Sequence, residues 1–260
     1  MTILEQLAAH ARERTEQAKK KKPLCELRRT AGSLPKGAFS FEAALKKPGL
    51  SFICECKKAS PSKGMIAPDF PYLQIAKDYE AAGADAVSVL TEPKWFLGND
   101  RYLKEIAEQV HLPCLRKDFI IDEYMIYEAR LLGASAVLLI CSLLSQEQIK
   151  EYLSLSAELG LSALVEAHNE EEVEKALCAG AGILGINNRN LKDFSVNTEN
   201  SRNLSSQIPN DVLFISESGI RDAGDIEAIR NMGADGVLIG EALMKARDKK
   251  ALLLELRGSL

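Results

Sequence analysis

Apolar runs recur at regular intervals along the chain and alternate with amphipathic stretches. Four of them open in the same way, with a glycine that follows a helical stretch and leads into apolar residues: Gly83–Val87, Gly133–Val137, Gly180–Ile183 and Gly233–Val237. Their starts lie 50, 47 and 53 residues apart. Glycine after a helix supplies the left-handed residue that ends it, so the chain can turn directly into a strand. The repeat therefore predicts a helix-to-strand junction at each of these glycines.

Further apolar runs lie between these four, at Phe52–Cys56, Pro113–Leu115, Ser162–Val165 and Val212–Ile215. Together they predict eight strands alternating with helices at 72–82, 99–110, 122–132, 145–159, 169–179, 198–207, 222–232 and 241–257. Short, nearly all-apolar strands separated by helices are typical of a parallel sheet covered by helices. The count of eight and the even spacing favour an α/β fold, a closed (β/α)8 TIM barrel, over an open doubly wound sheet.

The chain begins with a stretch that precedes the first strand. Residues 1–46 are predicted to be helical, with Ile3, Leu4, Leu7 and Ala8 on one stripe. No linker or low-complexity stretch divides the chain. We therefore expect a single (β/α)8 barrel domain over 1–260, with residues 1–46 as an N-terminal helical extension packed against the barrel.

Composition and charge narrow the functional classes. The chain has 260 residues, of which 46% are hydrophobic and 27% charged, and a net charge of −4, which gives no support for binding nucleic acid or an anionic membrane. The basic run Lys19–Lys22 is interpreted as a solvated helix end. We expect neither a signal peptide nor a membrane span. The six cysteines are interpreted as reduced core residues of a cytoplasmic protein: Cys25, Cys54, Cys56, Cys114, Cys141 and Cys178.

Charged residues interrupt the first apolar strand near its end. Alternate side chains of a strand share a face, so Glu55 and Lys57 point inward with Ile53, and Cys54 and Cys56 point towards the helices. An inward carboxylate and ammonium are costly to desolvate, and such pairs persist where they are used. The alternative is an edge strand with a solvated ion pair.

Polar residues also end four of the other predicted strands, at Lys117, Glu166, Asn187 and Glu217. Active sites of (β/α)8 barrels lie at the C-terminal ends of the strands, so these side chains are predicted to converge there. Any one of them could instead be a solvated strand end. The set contains no histidine and no metal-ligand spacing; His168 is expected near the rim, and His10 and His111 elsewhere. It indicates acid–base chemistry without a metal.

Glycine-containing loops follow the last two strands. Ser218-Gly219 and Gly240-Glu241 each stand at the start of a helical stretch, where glycine admits a close ligand and main-chain N–H groups face an anion. These two loops commonly form a phosphate site in such barrels, and Ser60 from the first loop could add a hydroxyl. Aromatic residues follow the second and third strands and are expected at the same rim, with core packing as the alternative: Trp95, Phe96 and Phe119.

Five motifs occur in an order that resembles the indole-3-glycerol-phosphate synthase family of tryptophan biosynthesis, over nearly the whole chain. They are Glu55–Gly64, Leu115–Ile120, Gly185–Leu191, Glu217–Ile220 and Leu238–Glu241. Cys54 and Cys56 depart from the small or aliphatic residues usual there. Both are on the helix-facing side, so the departure concerns packing.

The resemblance implies ring closure of 1-(2-carboxyphenylamino)-1-deoxyribulose 5-phosphate to indole-3-glycerol phosphate, with loss of carbon dioxide and water. Lys117 matches the family's general acid, Lys57 the group that orients the substrate carboxylate, and Glu166 a second proton relay with Glu55 nearby. The division of acid roles between the two lysines stays open, because adjacent ammonium groups shift each other's pKa. Asn187 and Glu217 match orienting groups, and the phosphate is held by Ser60, Ser218, Gly219, Gly240 and Glu241. The residues around the aromatic ring are Phe96, Phe119 and Leu138, and Arg189 lies at the substrate.

Two alternatives have the same fold. One is a phosphoribosylanthranilate isomerase-like barrel, which is expected to use a Cys/Asp pair and to lack the extension. The other is a non-catalytic phosphometabolite-binding barrel. The inward lysines argue against both. We expect a small phosphorylated substrate, no cofactor, and a monomer, with association with other pathway enzymes left open.

The extension is expected to cross the active-site end, support the loop Ser60–Gly64 and form part of the wall of the substrate site. The alternative is that it caps the opposite end of the barrel.

Overall fold

The computed structural model describes residues 2–190 and 194–258, and eight of its strands form a closed parallel barrel surrounded by helices. The barrel strands are β1 (Ser51–Cys56), β2 (Ala86–Leu90), β3 (Cys114–Lys117), β4 (Ala136–Ile140), β5 (Ser162–Ala167), β6 (Ile183–Asn187), β7 (Leu213–Glu217) and β8 (Gly236–Ile239). Each pairs with the next in sequence, and β1 closes the circle on β8. The predicted TIM barrel is confirmed. Leu191, which ends the third motif, lies outside the described residues.

Helices precede the barrel and connect its strands. They are α1 (Ile3–Lys21), α2 (Leu24–Gly32), α3 (Ser40–Leu45), α4 (Tyr72–Ala81), α5 (Asp100–Gln109), α6 (Glu123–Leu131), α7 (Gln146–Leu159), α8 (Glu170–Ala179), α9 (Glu199–Ser205), α10 (Ala223–Asn231), α11 (Glu241–Lys245) and α12 (Lys249–Arg257). The four repeat glycines all have left-handed backbone, with φ between 78° and 92°. This is the conformation that the helix-to-strand junctions were predicted to need.

The predicted helix over 241–257 is wrong, because the structure has two helices there. Ala246 leaves the helical conformation, with φ −63° and ψ 136°, and the Asp248 side chain accepts a hydrogen bond from the N–H of Ala251. A short acidic side chain in this position satisfies the free N–H groups at the start of a new helix. The interruption leaves α11 as a separate short helix directly after β8.

Strand residues alternate between two apolar layers. In β1, Ile53 packs in the barrel interior, and Cys54 and Cys56 pack between the strands and the helices, as predicted. All six cysteines are free. Cys25 and Cys178 are exposed, however, so their interpretation as core residues is wrong. Both lie on helices, where the position on the helix face decides burial.

The first helix crosses the C-terminal end of the barrel. Its apolar residues Ile3, Leu4 and Leu7 line the large cavity there. Its polar face contacts the loops after β2 and β3. His10 Nδ1 lies in hydrogen-bond distance of Glu92 Oε1 at 3.1 Å, and two ion pairs join Arg14 Nη2 to Asp118 Oδ1 at 2.8 Å and Lys19 Nζ to Asp122 Oδ2 at 2.6 Å. The expected position of the extension is therefore correct for α1. Its support of Ser60–Gly64 stays a prediction.

The third helix closes the opposite end of the barrel. Phe41 and Leu45 are 0% and 1% exposed and belong to the interior cluster. The main-chain N–H of Glu42 donates to Ser162 Oγ at 3.2 Å, at the beginning of β5. α2 lies between, packed against α6. The extension therefore runs from one end of the barrel to the other, so the alternative of a structural cap holds for α3.

No helix within the described residues is long and apolar enough to cross a membrane.

Shortening a side chain is predicted to have different effects at the two ends of the extension. Leu4→Ala should raise KM about threefold with little loss of stability, because Leu4 is half-buried and faces the cavity. Phe41→Ala should lower the free energy of unfolding by about 3–5 kcal/mol and leave kinetics at low temperature unchanged. Denaturant unfolding and steady-state kinetics of both variants test this. A Leu4→Ala enzyme that is less stable but kinetically normal would show that α1 has no role in the site.

Candidate active site

A cavity of about 990 Å³ opens at the C-terminal ends of the strands. Residues from all eight strands reach it, together with the first loop and α1. All fifteen residues singled out from the sequence line it: Glu55, Lys57, Ser60, Phe96, Lys117, Phe119, Leu138, Glu166, Asn187, Arg189, Glu217, Ser218, Gly219, Gly240 and Glu241. Their shared location is a structural finding, and their individual roles stay predictions.

An ammonium between two carboxylates forms the centre of the site. Lys117 Nζ donates to Glu166 Oε2 at 2.8 Å and to Glu217 Oε2 at 3.1 Å. The two glutamate side chains are 3% and 2% exposed. Burial alone would lower the pKa of Lys117, but the carboxylates of Glu166, Glu217 and Glu55 outweigh it and raise that pKa. Lys117 therefore stays protonated at neutral pH.

The two glutamates beside Lys117 differ in protonation. Burial raises the pKa of Glu166, but Lys117 and His168 outweigh it and lower that pKa to about 2. Burial and the charge of Glu166 raise the pKa of Glu217 to about 7, against the attraction of Lys117. One ammonium thus balances one carboxylate, and the second carboxyl group holds a proton up to near-neutral pH.

A second ion pair lies on the neighbouring part of the barrel rim. Lys57 Nζ lies 2.7 Å from Glu55 Oε1, and Ser88 Oγ donates to Glu55 Oε2 at 3.4 Å. Glu55 is 4% exposed and Lys57 16% by side chain. The inward orientation predicted for both is confirmed by their place in the cavity wall.

Two glycines leave room for these charged groups. A methyl group at Gly240 would overlap Glu55 Oε1 and lie 2.9 Å from Lys57 Nζ. A methyl group at Gly185, on β6, would overlap Glu217 Oε1. That oxygen is buried and has no hydrogen-bond partner among the described residues. Gly240 was singled out for its main chain alone, so its steric role was missed.

Asn187 connects three parts of the site. Its side-chain oxygen accepts hydrogen bonds from Ser218 Oγ and from the N–H of Arg189, both at 3.0 Å. Its side chain is also one of the groups that lower the pKa of Glu166. Ser218 and Gly219 both have left-handed backbone, with φ 67° and 87°. Two such residues in succession turn the loop after β7 sharply at the cavity wall.

Glu241 is the counter-ion of three cations from different elements. Its carboxylate lies 2.6 Å from Lys245 Nζ, 3.4 Å from Arg189 Nη2 and 3.7 Å from Lys63 Nζ. A carboxylate repels phosphate, so any phosphate contact of Glu241 must come from its main-chain N–H at the start of α11. The cations around it are the residues that the sequence interpretation did not connect with the phosphate.

An aromatic wall lies on the side of β2 and β3. The rings of Phe96 and Phe119 are 5.9 Å apart between centroids, and Leu138 lines the same cavity. Trp95 packs edge-to-face on His10 at 5.4 Å. The expectation that His10 lies elsewhere is wrong, because α1 carries it over this rim.

Comparison of the sequence with known proteins identifies the family to which this chain belongs. Residues 4–256 match the family described as "Indole-3-glycerol phosphate synthase". The chain is 55% identical over 258 residues to the indole-3-glycerol phosphate synthase of Ruminiclostridium cellulolyticum, covering 99% of both chains. It is 52% identical to that of Endomicrobium trichonymphae, covering 98% of this chain and 99% of the other. The chain belongs to the indole-3-glycerol phosphate synthase family. The predicted family and its carboxy-lyase activity in tryptophan biosynthesis are confirmed.

Solved structures with the same fold have low sequence identity to this chain. Tryptophan synthase subunit alpha from Legionella pneumophila has a TM-score of 0.63 at 14% identity, with 85% of this chain and 97% of the other covered. The 3-hexulose-6-phosphate synthase from Salmonella typhimurium has a TM-score of 0.63 at 15% identity, with 80% and 97% covered. These likenesses support the barrel fold alone. The family match favours the synthase over both alternatives considered from the sequence.

Glu92 is a residue of this synthase-family site that the sequence interpretation missed. It is 0% exposed, and its carboxylate accepts hydrogen bonds from the main-chain N–H groups of Lys94, Trp95 and Phe96 at 2.7–3.0 Å. It therefore shapes the loop that carries the aromatic wall. The available signal was the same as for Glu55, a carboxylate at the end of an apolar strand.

Alanine at Gly185 or Gly240 is predicted to displace the charged side chains that lie against these glycines. Gly240→Ala and Gly185→Ala should each lower kcat/KM by at least about tenfold, because Glu55, Lys57 or Glu217 must move. Gly182→Ala is the matched control, since a methyl group there meets nothing within 4 Å. Steady-state kinetics and thermal unfolding separate misplaced side chains from unfolding. Normal kinetics in both site variants would contradict the steric role.

The proton on Glu217 predicts a pH-dependent stability. The pKa of Glu217 in the folded protein, about 7, lies above the ordinary value of 4.5. The proton on Glu217 therefore stabilises the folded state fully below about pH 4.5, and this contribution to the free energy of unfolding is lost as pH rises through about 7. The loss amounts to about 3 kcal/mol. Glu217→Gln carries no charge, so its stability relative to the wild type should increase over this range. Denaturant unfolding at a series of pH values tests this, with exposed Glu227→Gln as control. Parallel pH curves for wild type and Glu217→Gln would refute it.

Proposed function

We propose that the residues around Lys117 carry the family reaction in this chain. The substrate is 1-(2-carboxyphenylamino)-1-deoxyribulose 5-phosphate, and the product is indole-3-glycerol phosphate. The observation that supports these roles is the buried Lys117 ammonium, held between Glu166 and Glu217 at the centre of the cavity. Loops that can hold phosphate lie on one side, and the aromatic wall lies on the other.

Ring closure needs a proton at the ketone oxygen. The ring carbon that bears the carboxylate bonds to the ketone carbon, and the oxygen becomes a hydroxyl by taking a proton from Lys117. The carbon–carboxylate bond then breaks, carbon dioxide leaves, and the ring regains aromaticity. The raised pKa of Lys117 keeps the proton available, and its transfer is driven by the charge that develops on the oxygen. Lys57 orients the substrate carboxylate before it leaves.

Loss of water needs an acid at the hydroxyl and a base at the adjacent C–H. Glu166 is the proposed relay for this second step, with Glu55 nearby. Its pKa of about 2 makes it a carboxylate at neutral pH, so it begins as the base and takes the proton from the C–H. The proton that leaves with the hydroxyl as water comes from a lysine ammonium, either Lys57 or Lys117 after it regains a proton. Asn187 orients Ser218, and the Glu217 carboxyl positions Lys117. Phe96, Phe119 and Leu138 enclose the aromatic ring.

Lys117→Met is expected to abolish turnover and to leave substrate affinity within about tenfold, because the lost proton donor acts in the transition state. Formation of indole-3-glycerol phosphate is followed by its fluorescence, and substrate affinity by calorimetry. Lys150→Met, an exposed lysine on α7, is the control. Retention of near-normal turnover by Lys117→Met would overturn the role of Lys117, and no product from the wild type would overturn the proposed activity.

The substrate phosphate is proposed to bind at Ser60, Gly219 and Gly240. Lys63, Arg189 and Lys245 supply positive charge there, and Glu241 neutralises them in the absence of an anion. Sulfate soaked into crystals should therefore occupy this place.

Glu241→Gln frees the three cations, so inorganic phosphate should inhibit this variant several-fold more strongly than the wild type. Exposed Glu227→Gln is the matched control. Sulfate bound away from Gly219 and Gly240, or unchanged phosphate inhibition in Glu241→Gln, would contradict the placement.

For the chain as a whole, we propose a single domain over 1–260 that acts as a monomer in the cytoplasm, without cofactor, metal or nucleic acid. Sedimentation of the purified protein tests the monomer.

A further inference from the structure

A histidine outside the proposed catalytic set lies against Glu166. His168 directly follows β5, and its side chain is 13% exposed. Its Nδ1 lies 3.1 Å from Glu172 Oε2 on α8, and its Nε2 lies 3.5 Å from Glu166 Oε1. The imidazole therefore bridges two carboxylates, one of which holds Lys117 through its other oxygen.

Both carboxylates are ionised, which decides the protonation of the ring between them. Burial raises the pKa of Glu172, but hydrogen bonds from His168 and Ser142 outweigh it and lower that pKa. The pKa of Glu166 is about 2. A neutral imidazole has one N–H and one lone pair, so either tautomer would direct a lone pair at a carboxylate. Only the imidazolium presents an N–H to both, with a hydrogen bond to Glu172 and a longer charge contact of 3.5 Å to Glu166. Nε2 is buried and, within the part of the chain that the structure describes, makes no hydrogen bond.

The surroundings fix the ring in this orientation. The N–H of His168 donates to Glu172 Oε2 at 2.8 Å, and Ser142 Oγ donates to Glu172 Oε1 at 2.7 Å. Asn200 on α9 donates to the carbonyl of His168 at 3.1 Å. The charged groups that face the ring are Glu166, Glu172 and, further away, Glu217, with Lys117 beyond Glu166.

The pKa of His168 agrees with this geometry. Burial lowers it, but the hydrogen bond to Glu172 and the charges of Glu166, Glu172 and Glu217 outweigh burial and raise it above 6.5. The cation in turn is one of the causes that lower the pKa of Glu166. The two groups stabilise each other's charged forms.

We propose that His168 is a positioning residue of the reaction: as an imidazolium bridging Glu172 and Glu166, it keeps Glu166 ionised and directs its second oxygen to Lys117 and the substrate. This inference rests on the proposed role of Glu166. Glu166 loses its ammonium partner when Lys117 gives up its proton, so a second cation is needed to keep Glu166 a base. His168 supplies that cation from the side of Glu166 away from Lys117.

The protonation of His168 can be measured in the resting protein. The chain contains three histidines, so ¹⁵N-imidazole spectra are assignable by comparison with His168→Gln. At pH 6.5 more than half of His168 should carry both protons, and Glu172→Gln should lower its pKa. Glu171→Gln, an exposed carboxylate in the same turn of α8, is the matched control. A neutral His168 ring at pH 6.5, or an unchanged pKa in Glu172→Gln, would overturn the proposal.

Kinetics test the effect on Glu166. His168→Gln keeps a hydrogen-bond donor but no charge, so kcat should fall about tenfold or more with KM within about threefold. Without the cation the pKa of Glu166 rises, so the acidic limb of the kcat/KM profile should move to higher pH. Exposed His111→Gln should match the wild type. A wild-type profile in His168→Gln, in a protein with unchanged Tm, would refute the positioning role.

Failure of the proposed function gives a different result. If Glu166 has no role in proton transfer, Glu166→Gln will retain turnover, and His168→Gln will also show normal kinetics. The spectra of the resting protein do not depend on turnover. A bridging imidazolium together with an active Glu166→Gln enzyme would therefore reject the acid–base role of Glu166 and leave His168 as structural.

Discussion

The site depends on one imbalance of charge: a single buried ammonium faces two buried carboxylates. Lys117 cannot neutralise both Glu166 and Glu217, and a second ionised carboxylate without a partner would be costly in this interior. The imbalance is resolved by a proton on Glu217 and by the imidazole beside Glu166. The cluster therefore contains groups that gain or lose protons near neutral pH, which is what a reaction with two proton-transfer steps requires.

The barrel holds these groups by packing as well as by hydrogen bonds. Gly185 and Gly240 leave gaps in the inner wall, and Glu217 and the Glu55–Lys57 pair fill them. A side chain that fills a gap between strands cannot turn away from its partner, so its orientation is set before substrate binds. Such preorganisation lowers the cost of reorganising charge during the reaction.

Most of the barrel and the membership of the site were predictable from local patterns. Apolar runs and helix-ending glycines placed the strands, and parallel pairing brings the strand ends together, so Lys117 and Glu166 could be placed in one cavity. Contacts between distant segments could not be predicted in this way. The position of His10 depends on where α1 docks, and two of the cations at Glu241, Lys63 and Arg189, come from other elements. Lys245, one turn along the same helix, and the cap at Asp248 after the break at Ala246 are local features that sequence reasoning missed.

Strand β3 explains why the extension belongs to the site. Arg116 faces the helices and pairs with Glu128, Lys117 faces the cavity, and Asp118 faces α1. Asp118 is buried, and its pKa lies below its ordinary value because Arg14 and Arg116 outweigh the effect of burial. Without α1, the carboxylate next to Lys117 would lose its closest cation and keep Arg116 at 3.7 Å and the hydroxyl of Thr91 as side-chain partners, so its charge would be less well compensated. Docking of α1 is therefore coupled to the placement of the residue beside Lys117. The Arg14–Asp118 ion pair, which holds α1 over the cavity, also holds the main chain at Asp118, next to Lys117.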